Sequence, residues 1–193
     1  MPPRKRFERD TVINAAFEVL RRQGFDAVTA RNVAVELGSS TTPIYWVFQS
    51  MDAVEEALHN KAMQLMIEFQ SKKYTDNVFT NMAIGYVDYA RQEPRLFQFL
   101  QHEQQKPYNP SESEALGSRM SPILGDQPPV ENYFGKIDQK SMDGIALRSW
   151  IFMHGLAVAI SSHMLEFNSE KEIENLIISA GRAFYLDQTI KKE

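Results

Sequence analysis

A chain of 193 residues, 43% hydrophobic and 24% charged, supplies one compact domain or two small modules sharing a core, and its lack of cysteine excludes disulfides, thiolate metal sites and cysteine nucleophiles. The formal net charge of −4 conceals a split: residues 1–50 hold seven bases and five acids, net +2, and the remainder 14 bases and 20 acids, net −6, so a polyanion partner is expected for the basic part. No apolar signal core follows the basic N-terminus, and the longest apolar stretch, Trp150 to Ile160, falls short of the about 20 residues of a membrane span, which predicts a cytoplasmic protein with no membrane partner.

Apolar periodicity predicts helix nearly throughout, with Gly and Pro between periodic segments rather than inside them. The first helix is expected from about Asp10 to Gln23, with Ile13, Ala16, Phe17 and Leu20 on one face and Gly24 as its stop. Thr29 is the expected N-cap of a helix over 30–37, whose stripe is Val33, Ala34 and Leu37 and whose end is Gly38. Ser40 is expected to cap a short helix over 41–48, with Pro43 in its first turn, where a missing N–H costs nothing. Ser50 caps a long fourth helix reaching about Lys73, striped by Val54, Leu58, Ala62, Leu65, Met66 and Phe69.

Further along, Phe79, Met82, Ala83, Tyr86, Val87 and Ala90 fit a helical template, and Pro94 opens a helix carrying Leu96, Phe97, Phe99 and Leu100. Five prolines mark residues 106–129 as a long loop, followed by a short helix over about 130–139. A helix starting at Ser141 or Asp143 runs to about Phe167. Its centre, 145–160, is apolar on most sides, which predicts burial all round. The last helix spans about 169–189. The fold class is therefore all-α, about nine helices. An N-terminal domain over 1–50, with a flexible basic arm at 1–9, precedes a helical domain over 51–193.

Residues 11–54 carry the most specific signal. Two short helices joined by the tight turn Leu37-Gly38-Ser39, with one helix before and a long one after, make the layout of a helix-turn-helix. The second short helix of such a unit enters the major groove, which is about 12 Å wide. Val33, Ala34, Leu37, Ile44 and Phe48 are assigned to the three-helix core. Thr41, Thr42, Pro43, Tyr45 and Trp46 are left facing outward.

The stretch Val28 to Phe48, with Thr29, Arg31, Gly38, Ser40 and Tyr45 in place, resembles the DNA-binding signature of TetR-family transcriptional regulators, and Ala15 to Leu20 with Gly24-Phe25 resembles that family's first helix. The resemblance covers about residues 10–58. It implies a regulator, most readily a repressor, that binds a double-stranded DNA operator as a homodimer through its last two helices (143–167 and 169–189) and responds to a small-molecule effector. By this resemblance Thr29 and Tyr45 hold phosphates, Arg31 reaches a base, and Ser40, Thr41, Thr42, Pro43 and Trp46 belong to the DNA face. Two positions depart from the pattern: Val47 stands where the family often has His or Tyr, and Met51 where it commonly has a phosphate-contacting Lys. The arm Arg4-Lys5-Arg6 is expected to compensate by tracking the backbone or minor groove.

Residues 89–97 and 150–157 resemble stretches of the ligand-binding domains in a subset of that family. If a pocket lies among these helices, Met82, Tyr86, Tyr89, Phe97, Trp150, Met153 and His154 are its candidate lining, although the same spacing describes a core. His154 interrupts an apolar helix and needs a polar partner. The four histidines lack metal-ligand spacing. Phosphate loop, nucleophile elbow and dinucleotide fingerprint are all missing, so no metal, cofactor or enzymatic chemistry is expected. The alternative reading is a helical small-molecule-binding protein or enzyme with a vestigial helix-turn-helix, supported by Met51 and the acidic net charge.

Overall fold

The computed structural model describes residues 7–102 and 137–190. The loop expected at 106–129, most of the short helix expected at 130–139 and the arm Arg4-Lys5-Arg6 lie outside the described residues. Among the described residues the chain is all-α, with eight α-helices, one 3-10 turn and no strand. It divides into two compact units, Met1–Leu65 with Glu93–Gln104 and Met66–Gln92 with Gln105–Glu193. The first unit thus runs past residue 50 and takes in a second segment that begins at Glu93, 28 residues after Leu65.

That first unit is built on α1 (Arg9–Gln23). Its Val12, Ala16, Val19 and Leu20 are buried at helical spacing, and a 3-10 turn (Phe25–Ala27), α2 (Ala30–Glu36) and α3 (Thr42–Phe48) follow. The N-terminal part of α4 (Met51–Gln70) adds Val54, Leu58 and Ala62 to the core. Helix α6 (Pro94–His102) packs on α1 through buried Leu96, Phe97, Phe99 and Leu100. Phe99 meets Phe25 at 4.9 Å between ring centroids.

The second unit holds the last turn of α4, α5 (Val78–Gln92), α7 (Gln139–Ser161) and α8 (Glu170–Ile190), with α5 packed against both long helices. Helix α4 stops at Gln70 rather than near Lys73, because the buried side chain of Asn81 captures the chain that follows. Its Oδ1 accepts from the Tyr74 and Thr75 backbone N–H groups at 3.2 and 2.6 Å, and its Nδ2 donates to the Thr75 carbonyl at 3.0 Å. Gly85 lets α5 approach the end of α4 closely: a Cβ there would lie 2.3 Å from the Phe69 carbonyl oxygen and 2.6 Å from the Gln70 Cα.

Helix α7 differs from expectation at both ends and on its surface. Asp138 caps it, accepting from the Ser141 N–H at 3.0 Å, so it starts before Ser141. It ends at Ser161, not Phe167, in a left-handed turn: His163 has φ 57°, and the Met164 N–H reaches back to the Ala159 carbonyl at 2.8 Å. Nor is its centre buried all round. Ile145, Leu156, Ala157 and Ile160 are buried, whereas Trp150, Ile151 and Val158 are exposed. Over Lys140–Ser161 it is long and apolar enough to cross a membrane, with a mean hydropathy of 1.4, and 28% of that window is buried within the chain. The polar His154 lowers the apolarity of this helix too little to change this.

Candidate nucleic-acid interface

Local chemistry sets the helix-turn-helix. Thr29 caps α2 through its Oγ1, which accepts from the Asn32 N–H at 3.2 Å. Its hydroxyl proton remains a donor. Asn32 Nδ2 donates to the Ala27 carbonyl at 2.8 Å and ties α2 to the preceding turn. At the other end Gly38 takes φ 61°, which costs a glycine little, and the Ser39 N–H bonds the Ala34 carbonyl at 2.9 Å. Helix α3 starts at Thr42 with Thr41 as its cap residue, not Ser40, and no side chain caps it. Pro43 explains this, since it lacks the N–H that a cap at Ser40 would bond at its third helical position. The backbone carbonyl of Thr41 instead accepts from Ile44 N at 3.1 Å.

Burial of Val33, Ala34, Ile44 and Phe48 aims the remaining side chains of α2 and α3. Arg31, Thr42, Tyr45 (45% exposed) and Trp46 (57%) face solvent, with Thr29 and Ser40 beside them, and Thr41 is half-buried. Pro43 is the exception among the expected outward residues. It is buried, because the first turn of α3 leans that ring into the unit's core. It is therefore corrected from a base-facing to a packing residue. Val35, one turn beyond Arg31 on α2, is 74% exposed, an apolar addition to this surface that stripe counting overlooked. Val47 and Met51 are half-buried.

Two contacts fix the frame around this face. Arg22 Nη2 pairs with Glu36, joining α1 to the end of α2. The Arg9 guanidinium sits 4.3 Å from the centroid of the Phe48 ring, at the end of α3. Between α3 and α4, Gln49 adopts φ 65° as the centre of a γ-turn closed by Ser50 N to Phe48 O at 2.7 Å. Ser50 caps α4 as expected, accepting from Ala53 N at 3.2 Å.

A face of this kind presents hydroxyl donors for phosphate, a guanidinium for phosphate or a base edge, and aromatic and methyl surface for thymine methyls. Residues 12–58 match the model of the bacterial regulatory proteins of the tetR family. They are a tetR-family DNA-binding domain. No curated protein matches the chain. Two solved structures from Rhodococcus sp. RHA1 share its fold. One, a protein with unknown function, is 19% identical, with a TM-score of 0.66 over 96% of this chain and 97% of that one. The other, a TetR-like transcriptional regulator, is 13% identical, with a TM-score of 0.55 over 89% and 92%.

Outside the tetR-family domain, the expected pocket residues separate. Phe97 is buried in the first unit, on α6. Met82 and Tyr89 are fully buried core of the second unit, Tyr89 edge-on to Phe69 at 5.6 Å. Tyr86, Trp150 and His154 do come together: the Tyr86 hydroxyl lies 3.0 Å from His154 Nδ1, and the indole stacks on the imidazole at 5.4 Å and 15°. Met153 is half-buried on the same helix. Burial pushes the His154 pKa below its ordinary value, favouring the neutral ring.

A second polar cluster went unmarked in the sequence. Asp88 accepts from Tyr74 Oη at 3.1 Å and Arg91 Nη2 at 2.8 Å, and Arg91 also bonds Glu170 at 2.7 Å. Burial and then the Asp88 carboxylate raise the Tyr74 pKa, and the hydrogen bond to Asp88 raises that of Arg91. These groups satisfy one another and pin α8 to α5.

Proposed function

We propose that the protein is a ligand-responsive, DNA-binding transcriptional repressor of the TetR type, acting as a cytoplasmic homodimer on a roughly palindromic operator. The observation that carries this reading is the exposed set Arg31, Thr42, Tyr45 and Trp46 on a helix-turn-helix whose first helix is capped by Thr29. In the proposed complex Thr29 and Tyr45 donate to phosphates, Arg31 reaches a base, and Ser40, Thr41, Thr42 and Trp46 contact the groove. The arm Arg4-Lys5-Arg6 supplies the cationic contact that Met51 cannot.

One short helix makes too few base contacts, so two copies would place their recognition helices about 34–36 Å apart in successive major grooves. Exposed Ile151 and Val158 on α7 and Leu176, Ile178 and Leu186 on α8 support a four-helix dimer interface. Gly155 and Gly181 add support. Each sits within a helix facing open space, where alanine would stabilise by about 1 kcal/mol unless a second helix approaches closely. Such a partner also accounts for the apolar surface of α7 without a membrane.

The effector is a small, largely apolar molecule bound in the C-terminal unit, with Tyr86, Trp150, Met153 and His154 as its contacts. It would favour a state with lower operator affinity, by linkage. The acid-rich part carries no catalytic role in this reading. Selection of a binding sequence from a random duplex library, followed by Arg31→Ala and Tyr45→Ala, tests it. Each substitution is expected to cost about 1–3 kcal/mol of binding, and unchanged affinity in both would refute the assigned face.

A further inference from the structure

Glu93 occupies the one-residue gap between α5, which ends at Gln92, and α6, which starts at Pro94. It is also the first residue of the segment that returns to the DNA-binding unit, while Gln92 is the last of the other unit's first segment. Its carboxylate is buried, with 7% of the side chain exposed, yet charged residues are seldom buried without a partner. That partner is Arg21, at the end of α1 and 72 residues earlier. Arg21 Nε donates to Oε2 at 2.7 Å and Arg21 Nη2 to Oε1, so the planar guanidinium grips both oxygens. Glu93 also sits at the N-terminal end of α6, where its backbone carbonyl accepts from Phe97 N at 2.9 Å and the helix dipole favours a negative charge.

Helix α1 is the common support of this unit, since α2, α3 and α6 all pack on it. A displacement of the α5–α6 junction delivered to α1 is therefore delivered to both helices of the DNA face. We propose that the Arg21–Glu93 fork is the coupling latch of the protein: it makes the α5–α6 junction part of the helix-turn-helix unit, so that the state of the C-terminal unit reaches α2 and α3 through α1. The inference rests on reading the C-terminal unit as regulatory. Arg21 and Glu93 are positioning residues, and neither needs to touch DNA or effector.

The two tryptophans make the latch testable, because Trp46 lies in one unit and Trp150 in the other. Full-length Trp150→Phe and Trp46→Phe proteins each keep one reporter, and urea unfolding is followed by fluorescence. With the latch intact the two curves coincide. Adding Glu93→Gln to each is expected to separate them, the Trp46 midpoint falling by about 1 M urea while the Trp150 midpoint holds. Arg21→Gln and the double substitution should give the same separation, because removing either partner removes the whole fork. Curves that already separate in the unsubstituted pair, curves that still coincide after Glu93→Gln whether or not both shift, or effects that add in the double variant would each overturn the proposal. Coincident curves at lower urea would make the fork a plain stabiliser. The readout uses neither operator nor effector, so its failure is distinguishable from failure of the DNA-binding reading.

Discussion

Gly85→Ala sets two physical effects against each other, and the structure decides the sign. Helix propensity alone says that alanine inside α5 should stabilise by about 1 kcal/mol over glycine. Packing says the opposite. The new Cβ would lie 2.3 Å from the Phe69 carbonyl oxygen and 2.6 Å from both the Phe69 carbonyl carbon and the Gln70 Cα. Ordinary contact begins near 3.5 Å, so α5 would have to retreat from the last turn of α4 by about 1 Å. The atoms in the way are backbone, which cannot rotate aside. The neighbours Met82, Phe69 and Tyr89 are buried, so retreat opens gaps in the same core. Overpacking of this kind costs about 1–3 kcal/mol, and rigid backbone obstacles place this site near the upper end. Set against the propensity gain, the net loss is about 2 kcal/mol, a fall of about 4–8 °C in Tm for a chain of this size. Thermal unfolding by far-ultraviolet circular dichroism reads it directly. An alanine variant as stable as the parent, or more stable, would refute the close approach of α4 and α5.

Three further outcomes follow from the same structure. Pro43→Ala should lower stability by about 1 kcal/mol in thermal unfolding while leaving the selected DNA sequence unchanged, since the ring packs inward; a changed preference would return Pro43 to the DNA face. His154 is disfavoured as a cation, so its folded pKa lies below the ordinary 6.5 and the unfolded chain takes up the proton first as pH falls. Its contribution to stability is thus present above pH 6.5 and is lost on acidification below it. His154→Gln should remove that acid-side loss, and pH-resolved unfolding curves that run parallel for both proteins would contradict the burial of the ring. Ile151→Glu places a charge on the exposed apolar face of α7 and, under the proposed dimer, should shift sedimentation from dimer to monomer without lowering the helical signal.

What the sequence made legible was local. The Thr29 cap, the Gly38 turn and the buried pair Ile44 and Phe48 follow from residue types at fixed spacing, and the structure has them where periodicity put them. Pro43 departs from the expected outward set because that set consists of the positions left over from the apolar stripe. Which way the first turn leans depends on α1, not on α3 itself. The apolar centre of α7 predicts burial on all sides, but hydropathy states only that a surface avoids water, not which molecule covers it. Gly85 looks like any helical glycine until the end of α4 is beside it. The Arg21–Glu93 fork and the Asn81 clasp were invisible for a related reason. Charge and amide side chains carry no periodic signal, and their partners are set by the fold. Phe97 joins the expected pocket because its stretch, 89–97, resembles a ligand-binding domain, whereas its helix returns to the other unit.

The central claim, that the face made by α2 and α3 binds duplex DNA, is tested most directly by one titration. Affinity of the full-length protein for its library-selected duplex is measured by fluorescence anisotropy across salt concentrations, with Arg31→Ala alongside. Counterion release by genuine phosphate contacts makes log K fall linearly with log salt, with a slope of roughly −0.9 per phosphate neutralised. A steep negative slope is expected for the parent protein, and weaker binding with relaxed sequence preference for Arg31→Ala. A flat salt dependence, or a library from which no duplex is retained, would contradict it.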